Sequence, residues 1–197
     1  MNRVSIIQSL IDKHGYQTYA EIGVRDGSCF NSINVGYKVG VDPDKTSAAT
    51  TFITSDEFFA SNDRKFGIIF LDGLHESSQV TKDIENSLAC LEEGGTIVMH
   101  DNLPTSEFIQ IVPQQPDHNE WTGDVWRSFV KVRQEREDIE AFVVDTDWGV
   151  GILRKGKSEK LVIPDGVEIN YANFVLNKEV WMNVRCVEWF KEFYLKR

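Results

Sequence analysis

The run Phe66-Gly-Ile-Ile-Phe-Leu-Asp72 constrains the fold more than any other stretch, because it is apolar up to its last residue. A strand of that kind has no face to give to water, so it belongs inside a parallel sheet covered on both sides. Asp72 then marks its carboxyl end. Thr96-Ile-Val-Met-His-Asp101 repeats the pattern. Between the two, Val80, Ile84, Leu88 and Leu91 recur at four- and three-residue spacing, which predicts a helix with one buried stripe. Ser77-Ser78 is placed to cap that helix and Glu93-Gly94-Gly95 to stop it. Strand, helix and strand in this order imply a right-handed crossover in an open, mostly parallel sheet.

The flanking sequence extends the alternation. Val4, Ile7, Leu10 and Ile11 predict a short helix over 3–13 that His14-Gly15 ends. A strand follows at 19–24, then a weak helix through Cys29, Phe30 and Ile33, and a strand at 37–42 closed by Asp42-Pro43. Residues 50–54 predict a short strand, and Ser55-Asp56-Glu57 a cap for a helix over Phe58 and Phe59. Residues 103–124 hold three prolines and little periodicity, so they predict a long loop, His118 within it. A helix at 125–136 leads to strands at 141–145 and 150–154, whose tight link makes them an antiparallel pair. After a polar connector, Val180, Val184, Val187, Phe190 and Tyr194 predict an amphipathic helix over about 177–194. The fold class is therefore α/β and Rossmann-like: seven strands, mostly parallel with an antiparallel final strand, and helices on both faces. No domain boundary interrupts residues 1–197; a core at about 19–154 is followed by a helical tail at about 156–197.

Composition removes several function classes. A net charge of −10 without a basic tract is unsuited to duplex nucleic acid, which calls for a positive face. No apolar run approaches the ~20 residues of a membrane span. The first residues lack the long apolar core of a signal peptide. Three scattered cysteines fit reduced thiols of a cytoplasmic protein better than a disulfide frame.

Function is carried by the strand ends. Tyr-Ala-Glu-Ile-Gly-Val-Arg-Asp-Gly-Ser (19–28) reads as a strand entering a glycine-bearing turn that opens a helix, with Gly23 and Gly27 letting a ligand approach the main chain. Asp42 ends the next strand, about 20 residues after the loop begins, where an acid meets ribose hydroxyls in α/β nucleotide-type sites. Leu71-Asp72-Gly-Leu-His75 and Met99-His100-Asp101-Asn102 deliver a second group to the same edge. Oxygen donors such as Asp and Asn suit Mg²⁺, Ca²⁺ or Mn²⁺, and a histidine moves the preference toward transition metals. Trp121, Asp124, Trp126 and Arg127 follow the proline-rich loop and suggest an acceptor lid.

The Glu21-x-Gly23-x-x-x-Gly27 turn resembles the first motif of the class I S-adenosylmethionine (SAM) methyltransferases. The Asp-Gly-x-His and His-Asp strand ends resemble the family-24-like type, which includes metal-dependent sugar and catechol O-methyltransferases. The resemblance covers residues 19 to 154. It implies that Glu21, Gly23, Gly27 and Ser28 hold the amino-acid end of SAM, that Asp42 meets the ribose, and that Asp56 lies near the adenine. It implies a divalent metal, Mg or Mn, at Asp72 and Asp101, with Asn102 or His100 as the further ligand according to register. His75 falls at the position of the base. Neighbouring strands lie ~4.8 Å apart, so Asp72 and Asp101 would repel without a cation between them. The expected partner is a small-molecule or carbohydrate acceptor, with self-association into a homo-oligomer left open. A nicotinamide-dependent oxidoreductase and a non-catalytic SAM- or nucleotide-binding module are the competing readings.

Overall fold

The computed structural model describes residues 1–116 and 120–197. His118 lies outside them. The chain opens with α1 (Arg3–His14), whose first turn is tied by reciprocal bonds between Asn2 and Ser5, and whose buried side is Ile6, Ile7, Leu10 and Ile11. The sheet then builds from its middle. β1 (Thr18–Ile22) pairs in parallel with β2 (Tyr37–Val41) on one side and β3 (Phe66–Leu71) on the other. β4 (Leu91–Met99) is parallel to β3. β6 (Val150–Lys155) runs antiparallel to both β4 and β5 (Ile139–Val144), and β7 (Val184–Arg185) adds a short parallel edge to β5. The order across the sheet is β2-β1-β3-β4-β6-β5-β7.

All six residues of β3 are buried, as its composition requires. Ile69 and Leu71 enter the core on one face with Val80 and Ile84 of α3 (Ser77–Cys90) and Trp126 and Phe129 of α4 (Val125–Glu135). Ile68 and Phe70 enter the core on the other face with α1, Phe190 and Tyr194. Helices thus cover both faces.

Three local expectations are corrected. Residues 50–54 do not form a strand: they contribute one bridge, Val41 to Thr51, because the N–H groups of Thr50 and Thr51 both turn to the Gly40 carbonyl. The weak helix after the glycine loop is a single 3₁₀ turn, Phe30–Ser32. The tail is not one helix. α5 (Tyr171–Trp181) anchors Phe174 and Trp181 in the core, Asn183 takes a left-handed φ of 49°, and the chain turns back to pair as β7 before a short α6 (Val187–Trp189) and a π-helical turn at Phe190–Tyr194. Val180, placed in the predicted stripe, is 65% exposed. The open edge of β5 takes the tail's backbone hydrogen bonds instead.

Candidate active site

The carboxyl ends of β1 to β4 line one cavity of about 830 Å³, the position at which open α/β sheets bind ligands. At one end the chain leaves β1 through Gly23 (φ 86°), Arg25 (φ 51°) and Gly27 (φ 78°). Asp42 fixes this loop. Its Oδ2 accepts from the N–H groups of Val24 (3.0 Å) and Arg25 (2.9 Å), and its Oδ1 from that of Asp44 (2.9 Å). Gly23 donates to Val41, Gly27 to Val24, and Ser28 to the Asp26 carboxylate. Five of the six amides of 23–28 are thus spent within the protein rather than arrayed for a pyrophosphate. That, with only a 3₁₀ turn behind it, corrects the expected helix N-terminus and argues against a nicotinamide dinucleotide. Asp42→Ala should loosen the loop, since it removes the acceptor of the Val24, Arg25 and Asp44 amides. It should weaken SAM binding by about 1–3 kcal/mol, read by calorimetric titration, with the fold retained.

Glu21 stands at the end of β1, buried and hydrogen-bonded by the Tyr19 hydroxyl two residues earlier on the same face. Burial pushes its carboxyl up to about 7, and the nearby Asp72 charge adds to this against the Tyr19 bond. A cation at that end of the cavity would be drawn to the ionised form.

The other end is a knot of charges. Asp72 Oδ1 lies 3.2 Å from His100 Nδ1 and 3.4 Å from His75 Nε2. Asp101 (φ 60°) places Oδ1 3.2 Å from His100 Nδ1 and Oδ2 3.3 Å from His75 Nδ1. Two residues outside every motif complete it. Arg3 of α1 contacts Asp72 at 3.9 Å and Asp147 at 2.9 Å, and Asp147, in the β5–β6 turn, lies 3.5 Å from His100 Nε2. Burial disfavours charge here, but the surrounding partners prevail. Hydrogen bonds from His100 and His75 hold Asp72 down at about 2, and bonds to Asp101, Asp147 and Asp72 push His100 up to about 11. His75 is raised too, burial being outweighed by its bond to Asp72 and the Asp101 charge. The expected repulsion between Asp72 and Asp101 is thus already offset by His100 and Arg3.

Asp72, His75 and Asp101 each offer one donor atom, all within 4.8 Å of one another. Asn102 lies outside the cavity lining: its Nδ2 donates to the carbonyls of Met99, His100 and Gly149, tying the end of β4 to the β5–β6 turn, and its Oδ1 is buried without a partner. The lid is also revised. Trp121 lines the cavity and stacks on His75 at 5.2 Å. Trp126 is fully buried between Phe174 and Trp181, and Asp124 caps α3 through the N–H and hydroxyl of Ser77. Arg127 lies over the Trp126 ring and outside the cavity lining. Trp148, 40% exposed beside His100, lines the wall that sequence reasoning missed. Asp56 lines the far side, hydrogen-bonded by Gln79; the cap of α2 (Ser55–Ser61) is Thr54 with Glu57, not the expected Ser55-Asp56-Glu57.

Residues 43–102 match a family described as a methyltransferase domain. No curated protein matches the chain in sequence. Among solved structures it is similar to an O-methyltransferase from Bacillus cereus in complex with SAH (15% identity, TM-score 0.60, 79% of this chain and 80% of that one). It is also similar to TomG, an O-methyltransferase from Streptomyces achromogenes involved in tomaymycin synthesis, in complex with SAM (14%, TM-score 0.56, 78% and 79%). The SAH-bound methyltransferase PaMTH1 from Podospora anserina gives 15% identity and a TM-score of 0.57 over 80% of each chain. These likenesses define the class I methyltransferase fold. The match over residues 43–102 adds a likeness to a methyltransferase domain across the segment that holds α2, β3, α3 and β4.

Proposed function

We propose that the chain transfers the methyl group of SAM to a hydroxyl oxygen of a small-molecule or carbohydrate acceptor, with a divalent cation assisting. The observation that carries this reading is the continuity of one cavity, from Glu21, the 23–28 loop and Asp42 to Asp72, His75 and Asp101. In-line methyl transfer needs donor and acceptor held end to end, and a cavity with an acidic, cation-attracting end beside a base-bearing end does this. Glu21 faces the positively charged end of the donor. Gly23 and Gly27 keep the loop close to the strand ends, Ser28 and Asp42 bound its ribose and amino-acid parts, and Asp56 sits at the adenine side. His75 takes the hydroxyl proton, positioned by Asp72 and Asp101, while Trp121 and Trp148 flank the acceptor.

The Asp72 and Asp101 carboxylates, each offering an oxygen within 4.8 Å of the other, suit Mg²⁺ or Mn²⁺. When bound, such an ion lowers the pKa of a hydroxyl and fixes its oxygen. In this reading residues 1–197 work as one domain, since Arg3 reaches the cavity and α5 packs on α4. Free thiols at Cys29, Cys90 and Cys186 favour the cytoplasm.

Titration with SAM, SAH and NAD, followed by assays with labelled SAM on catechols and sugars, tests the reading. SAM and SAH should bind at one site and NAD should not. Activity should vanish in EDTA and return with Mg²⁺ or Mn²⁺. NAD binding without SAM binding would overturn it, and full activity in EDTA would remove the cation.

A further inference from the structure

We infer that a second cleft, at the opposite edge of the sheet, binds the phosphate group of a small molecule. This cleft, about 460 Å³, lies between the end of α1 and the end of β6 and is lined by Lys13, His14, Arg154, Lys155, Lys157 and Tyr194, with Glu140 and Arg197 at its rim. Arg154 pairs across β4 with Thr96, the first residue of that strand's regular parallel pairing, whereas the methyl-transfer cavity opens at Met99 and beyond. The two sites therefore occupy opposite ends of the strands.

Five cations converge on it in a chain whose net charge is −10. Glu140, the acid in the lining, is paired with Arg197 at 3.4 Å. Lys13 spends one donor on the Leu195 carbonyl and Arg154 one on that of Gly94, which leaves both with free N–H groups. Lys155 and Lys157 make no ion pair among the described residues. Asp138, near Lys155, is held by Arg136 through two bonds of 2.7 Å.

Two buried polar atoms point to a missing partner. Tyr194 is only 4% exposed, its hydroxyl facing the Arg154 guanidinium without a well-formed bond, and the Nε2 of His14 is buried and unbonded. Buried polar groups are rarely left so, and an oxyanion would take a bond from Tyr194 and from the Arg154 guanidinium at once. Burial, Arg154 and Lys13 together hold His14 down at about 4, so the imidazole is neutral and adds no charge. The patch is too small for a nucleic-acid backbone and its fork-bearing Arg154 suits a tetrahedral phosphate.

The test is titration of the full chain with pyrophosphate, inorganic phosphate and a sugar phosphate, followed by amide NMR and calorimetry. Saturable binding with shifts at Lys13, His14, residues 154–157 and Tyr194 is expected. Preference for the sugar phosphate over free phosphate would identify an ester as the ligand. Arg154→Gln and Lys157→Gln should each weaken binding by roughly tenfold or more, and Tyr194→Phe should weaken it too. SAM titration should be unchanged in Lys157→Gln, whose exposed side chain supports no packing. Shifts scattered over the surface and abolished at about 0.15 M salt would overturn the inference. So would Lys157→Gln and Tyr194→Phe binding as the wild type does.

Discussion

Gly23→Ala should destabilise the protein by about 2–4 kcal/mol and remove SAM binding. The residue has φ 86°, which costs any L side chain about 1–2 kcal/mol. The larger effect is steric. A Cβ here would lie 2.1 Å from the Asp72 carbonyl oxygen, 2.5 Å from its carbon and 2.5 Å from the Gly73 Cα. All three are backbone atoms at the end of β3, and none can rotate away. The only relief is to part the ends of β1 and β3, which carry Glu21 and Asp72. Gly15→Ala is the control. It shares the left-handed φ (67°), but its Cβ would meet nothing within 4 Å, and it lies far from the cavity at the end of α1. Urea unfolding and SAM titration of both variants decide the matter. A Gly23→Ala protein as stable as the wild type would mean that the loop does not pack on the end of β3.

That glycine shows how the sequence was informative and where it misled. A turn at Gly23 was legible from the residues, but its cause was not. The close approach that excludes a Cβ is to the protein's own strand end, a contact between residues 49 positions apart. The fold was legible where burial dictates composition: β3 and the 96–99 half of β4 are largely apolar because both faces are covered, and the β5–β6 link is short because the strands are neighbours. The tail was not. Its apolar spacing fits a helix on paper, but the edge of β5 competes for its backbone at Val184–Arg185, and a sheet edge leaves no local mark on the chain that will pair with it. Residues 50–54 failed for a related reason, since two threonine amides share one Gly40 carbonyl rather than continuing a ladder.

The site was legible wherever a functional group ends a strand, as Glu21, Asp42, Asp72, His100 and Asp101 do. Arg3 and Asp147 were not, because each reaches the site from an element with no motif of its own: the first turn of α1 and the β5–β6 turn. Without them the sequence offered two repelling carboxylates, and a cation was the evident remedy. With Arg3 beside Asp72, and with Asp147 helping to hold His100 charged between Asp72 and Asp101, the carboxylates have cationic partners before any ion arrives. Asn102 misled in the opposite sense. Its position beside Asp101 suited a ligand, but the left-handed Asp101 turns the next residue inward, where its amide holds three carbonyls.

Replacing His75 with alanine should lower turnover by ~10²–10⁴ while leaving SAM affinity nearly unchanged. The side chain touches Asp72, Asp101 and Trp121 and none of the 21–28 loop, so donor binding has no reason to change. Its Nδ1 lies 3.1 Å from the Trp121 carbonyl, which can only accept, so that nitrogen carries a proton. In the neutral ring the basic lone pair is then on Nε2, facing Asp72. One lone pair cannot both take a proton from the acceptor and bind a cation. The two roles separate by experiment. If Nε2 is the base, His75→Ala retains the wild-type Mn²⁺ requirement and loses the acidic limb of the pH–rate profile, which reports the ionisation of that base. If Nε2 is a metal donor, the Mn²⁺ concentration for half activity rises by roughly tenfold or more, and excess metal restores part of the rate. Unchanged turnover, measured with chemistry shown to be rate-limiting, would leave His75 without either role. The hydroxyl proton would then have to leave by another group, and His100, locked between Asp72, Asp101 and Asp147, has no free lone pair to receive it.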